Sequence, residues 1–110
     1  MGVDAILWMR PTIGGVRMLG ILMQVAGNVK YAPVPGKSED EAFTVETEHG
    51  LIVAFRGPLP HYLSKNKGTQ RYWALMSRAS PEMTDILKQV GRREGGLLQP
   101  RDNESSYELL

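Results

Sequence analysis

Two histidines, a serine and a lysine are the residues of this chain whose types could do chemistry: His49, His61, Ser64 and Lys65. A histidine pair can pass a proton as general acid and base. A lysine ammonium can steady the charge that builds on a phosphorane. Together they would suit metal-independent cleavage of RNA. Nothing in their spacing requires them to converge. His49 falls in a turn and His61 in a loop, where solvated histidines are ordinary. The residues therefore point to no catalytic set, with His49, His61 and Lys65 as the candidates that an activity would have to use.

Metal chemistry fares no better. Glu46, Glu48 and His49 are close in sequence, but strand alternation puts the two carboxylates on one face and turns His49 away. No second histidine follows at helical spacing. Glu39-Asp40-Glu41 lacks the spaced ligands and the glycine of a calcium loop. No metal and no cofactor is expected. Gly14-Gly15, at a helix start between Arg10 and Arg17, could hold a phosphate on free backbone N–H groups. It matches neither the Walker A spacing nor the dinucleotide fingerprint, and glycines entering a buried helix more often serve geometry.

Two charged stretches remain. Lys65, Lys67, Arg71, Tyr72 and Trp73, flanked by Arg56 and Arg78, could bind nucleic acid, with bases stacked on rings and cations on phosphates. Tyr72 and Trp73 are adjacent in a strand, so they point to opposite faces and one of them belongs to the core. Glu39, Asp40, Glu41, Glu46 and Glu48 form the opposing block, which could meet a basic groove in a partner. Its bland counterpart is a wet sheet face that keeps an edge strand from aggregating.

The order of charge says more than its sum. The formal net charge is +1, too mild to imply a nucleic-acid partner by itself. Residues 5–38 hold four Lys/Arg and no acid, residues 39–48 five acids and no base, and residues 49–81 five Lys/Arg and no acid. Such blocks either make opposed patches or neutralise one another across neighbouring strands. The 42% hydrophobic and 23% charged content is that of a globular protein with one ordinary core. Cysteine is absent. That excludes disulfides, thiolate metal sites and cysteine nucleophiles, and it is compatible with a reducing, cytoplasmic setting. The longest early apolar run, Met18 to Met23, is far short of the roughly 20 residues of a membrane span.

The elements that must position these residues are organised around Ala42 to Arg56. Phe43, Val45 and Thr47 alternate with Thr44, Glu46 and Glu48, which predicts a strand with one apolar and one wet face. Leu51 to Phe55 is apolar throughout, as where both faces are covered. Glu48-His49-Gly50 joins the arms in a hairpin. Val3 to Met9 predicts a buried strand, Asn28 to Val34 a short edge strand ended by prolines, and Gln70 to Ser77 a further strand. Thr12 to Gly27 reads as an apolar helix with a narrow polar stripe of Arg17, Gly20, Gln24 and Asn28. Thr12 can cap it and little of it should be exposed. An alternating-strand reading of residues 16–26 competes. Ser38 to Glu41 resembles a capping box of at most one turn. Ser80 to Arg93 is a helix with Ser80 as N-cap, Pro81 at its first position and Met83, Ile86, Leu87 and Val90 on one stripe. The connection after the hairpin, from Gly57 to Thr69, is 13 residues and holds Tyr62. Long loops of this kind often carry function.

The fold expected is therefore α+β in two layers: an antiparallel sheet of four to five strands with two helices packed on one face, in the order β-α-β-β-β-β-α. Residues 1–96 make the domain and 97–110 a tail. The function expected is that of a small non-enzymatic protein-binding module, an inhibitor or adaptor of a larger assembly. Its binding residues would be Glu39, Asp40, Glu41, Glu46, Glu48 and Tyr62, with another protein or, through the tail, a sister chain as partner. The alternative is an RNA-binding or RNA-cleaving protein using residues 56–78.

Overall fold

The structure is a computed structural model and describes residues 2–3, 5–10, 12–57, 72–77, 80–95, 97–99 and 107–108. Its elements run β1 (Gly2–Val3), β2 (Ala5–Met9), α1 (Gly15–Ala26), β3 (Val29–Pro33), β4 (Ala42–Thr47), β5 (Gly50–Gly57), β6 (Tyr72–Ser77), α2 (Pro81–Arg93), β7 (Leu97–Gln99) and β8 (Tyr107–Glu108). The fold is α+β, with both helices on one face of an antiparallel sheet. The five expected strands form its continuous run, β3-β4-β5-β6-β2, and β7 extends it beyond β2. The tail thus adds a strand to its own sheet, and β8 pairs with β1.

The hairpin forms where its pattern predicts. Phe43, Val45 and Thr47 are buried, while Glu46 and Glu48 are exposed. Gly50 takes a φ of 134°, a backbone state that side chains with a Cβ avoid. Thr47 ties the turn, its Oγ1 donating to the Gly50 carbonyl at 3.1 Å and accepting from the His49 N–H at 3.0 Å. Ile52, Val53, Ala54 and Phe55 are all buried. The sheet face turned away from the helices therefore has a core strip of its own, in which Trp8, Val53, Phe55, Ala74 and Met76 pack together.

Residues 15–26 are helix, and the strand alternative fails there. The helix packs Met18, Leu19, Ile21, Leu22 and Ala26 onto Phe43, Val45 and Leu75. Its boundaries and exposure differ from expectation. Gly14, not Thr12, is the N-cap and offers no side chain. Val16 and Met23 are 59% and 38% exposed, so the outward arc is wider than the polar stripe. The helix α2 begins as predicted: Ser80 Oγ accepts the Met83 N–H at 2.9 Å. That hydroxyl also donates to the His49 carbonyl at 3.3 Å, joining helix start and hairpin turn.

Candidate functional site

The acidic block is divided by the fold. The Ser-x-x-Glu stretch forms a single turn, with Glu41 and Ala42 N–H groups both donating to the Ser38 carbonyl. Ser38 Oγ donates to Glu41 Oε1 at 3.2 Å, and Lys37 Nζ lies 4.0 Å from Glu41 Oε2. This turn rests on the start of α1. Asp40 Oδ1 accepts the Gly15 N–H at 3.0 Å, supplying the cap that Gly14 cannot. A Cβ on Gly15 would sit 2.0 Å from the Glu39 carbonyl oxygen. Glu39 in turn accepts the Tyr31 hydroxyl at 2.6 Å. That bond, more than partial desolvation and the charge of Glu39, pushes the Tyr31 phenol up to about 12. Glu39 and Asp40 thus tie the turn to β3 and to α1, Glu41 makes exposed contacts within the turn, and the helix start considered for an external anion already has a carboxylate.

Glu46 and Glu48 stand apart from this. Both are exposed near the open end of the β3–β4 pair. Glu46 is in register with Lys30 of β3 and Leu51 of β5. Glu48 Oε1 lies 3.4 Å from His49 Nε2. Asn28, Val29, Lys30, Glu46, Thr47 and Glu48 line a hollow of about 360 Å³ there.

The hollow adjoins a strand edge. Among the described residues, β3 has a strand neighbour on one side only. Val34 N–H donates to the Ala42 carbonyl, continuing the β3–β4 ladder. Antiparallel ladders alternate, so Lys30 and Ala32 turn their backbone groups to β4, and Val29, Tyr31 and Pro33 turn theirs outward. Pro33, with no N–H, thus sits where no ladder bond is lost. Lys30 and Pro33 are residue types that blunt indiscriminate edge pairing.

The remaining predicted residues divide sharply. His61, Tyr62, Ser64, Lys65, Lys67, Arg71 and Arg78 lie outside the described residues. Trp73 is fully buried, and its indole N–H donates to the Ile13 carbonyl at 3.2 Å. Its ring packs edge-on to Phe43, with centroids 5.8 Å apart, and the Arg56 guanidinium carbon lies 5.9 Å from its centroid. A base cannot reach that ring to stack, so Trp73 is corrected from ligand platform to core. Among the described residues no group of three His, Asp or Glu is placed to hold a metal ion.

Asn28 and Lys30 escaped the sequence reading. Asn28 is uncharged, Lys30 is one of four widely spaced cations in residues 5–38, and Lys30 meets Glu46 only through the β3–β4 register. The prolines at 33 and 35 marked an edge strand, which was the available signal. No protein family, no curated protein and no solved structure matches this chain, so the site rests on its own geometry.

Proposed function

We propose that this chain is a small non-enzymatic protein-binding module, an adaptor or inhibitor, that takes an extended segment of its partner along the outer side of β3. The observation that carries this reading is the juxtaposition of outward backbone groups at Val29 and Tyr31 with the hollow rimmed by Glu46 and Glu48. Added strands gain affinity from main-chain hydrogen bonds and specificity from pockets for alternate side chains. Here the rim favours a segment carrying Lys or Arg. In this reading Glu46 and Glu48 carry the binding, while Glu39 and Asp40 are engaged within the chain by Tyr31 and Gly15. A cytoplasmic location fits a chain without cysteine.

The test is the size of the species in which the native protein travels, measured for the parent, for Val29→Pro and for Glu46→Lys/Glu48→Lys. Val29→Pro removes an outward N–H and no ladder bond. The parent should migrate in a protein complex, and both variants should fall to the free chain. A parent that always migrates alone defeats the proposal, as do variants that migrate with it. A complex that collapses on nuclease treatment would replace it with RNA binding.

A further inference from the structure

A second hollow, of about 520 Å³, opens between α1 and α2 and is lined by Arg17, Gly20, Ile21, Gln24, Arg93 and Glu94. Beside it lie Val16 and Met23, the exposed large hydrophobic residues among those described. They are seven positions apart on α1, which puts them on one stripe of the helix. Gly20 falls between them on the same stripe. A Cβ built on Gly20 would meet nothing within 4 Å. The outward surface of α1 is therefore knob, gap, knob.

Among the described residues nothing requires Gly20 to be glycine. A mid-helix glycine costs about 1 kcal/mol relative to alanine. At Gly15 the Glu39 backbone leaves no room for a Cβ, but at Gly20 no atom of the described residues objects. A gap between two exposed apolar side chains is what lets another helix approach closely, with a side chain seated in the hole.

Charge decides what approaches. Arg17 is exposed and forms no hydrogen bond or ion pair among the described residues. Arg93 Nη1 donates to Gln24 Oε1 at 2.8 Å, which holds its guanidinium at the groove and leaves other N–H donors available. Against these two cations stands one carboxylate, Glu94, and α1 itself carries no acid. Two copies of α1 would oppose Arg17 to Arg17, which disfavours self-association.

We propose that the α1–α2 groove docks an acidic amphipathic helix of a protein partner. An apolar side chain of that helix would seat over Gly20 between Val16 and Met23, and its carboxylates would meet Arg17 and Arg93. The site is separate from the β3 edge and does not depend on it. With both, the chain would join two partners.

Fluorescence anisotropy tests this with a labelled amphipathic peptide of about 18 residues, leucine at heptad a and d and glutamate at e and g. A second peptide carries lysine at e and g. The glutamate peptide should bind saturably to the full chain and more tightly than the lysine peptide. Gly20→Leu and Arg17→Glu should each weaken it by about tenfold or more. Gly20→Leu fills open space with a better helix former, so it should remain folded, and thermal unfolding checks that. Absence of saturable binding, equal affinity for the two peptides, or indifference to Gly20→Leu overturns the proposal. Uptake by anionic vesicles in place of peptide binding would assign the face to a membrane surface. A dimer dispersed by Gly20→Leu would assign it to a second copy.

Discussion

Asp40 caps a helix that begins 25 residues before it, its carboxylate oxygen 3.0 Å from the Gly15 nitrogen. The contact joins the acidic turn to α1 and turns a stretch of conspicuous charge into structure. Three consequences of this corner can be measured, and a fourth comes from the core.

Asp40→Ala removes the acceptor at the helix start and should lower stability by about 1 kcal/mol. Asp40→Asn keeps a capping oxygen and should lose less. Urea unfolding reads both. An Asp40→Ala variant as stable as the parent would mean that water satisfies the Gly15 N–H equally well.

Gly15 and Gly20 are both helical glycines, and intrinsic propensity predicts that alanine stabilises at either. The surroundings split them. Gly20→Ala should stabilise by up to about 1 kcal/mol, because its Cβ enters open space. Gly15→Ala must push the Glu39 backbone away and should be clearly destabilising, since a new Cβ would lie 2.0 Å from that carbonyl oxygen. Paired thermal melts decide the signs.

Tyr31 should ionise late. Its hydroxyl donates to Glu39, which lifts it from 10.0 to about 12. The folded state holds the proton more tightly than the unfolded state does. The linked stability is therefore whole below about pH 10 and drains as pH rises toward about 12. Ultraviolet titration of tyrosinate should show one late-titrating phenol in the folded protein, and Glu39→Gln should move it back toward the ordinary range.

Ser77 is fully buried in β6, and its hydroxyl has no hydrogen-bond partner among the described residues. Removing an unsatisfied buried polar group while keeping the Cβ should help. Ser77→Ala is expected to stabilise by about 1 kcal/mol. A loss of stability would show that the hydroxyl is satisfied in solution.

The hairpin, its turn glycine, the two helices and the capped start of α2 could be read from the order of residues because their signals are local. Phe43, Val45 and Thr47 declare a strand by alternation, and Met83, Ile86, Leu87 and Val90 a helix stripe by spacing. Such patterns state which face is apolar without saying what will lie against it. The roles of Asp40, Glu39, Trp73 and Lys30 depended on contacts between distant segments. Asp40 and Glu46 have the same charge and neighbourhood in sequence, yet one ends against a helix N–H and the other beside a hollow. Trp73 could not be recognised as core until packing placed its indole on Ile13. Charge and ring chemistry are carried by the residue, but their use is set by what the folded chain brings within a few ångströms, and no local period encodes that.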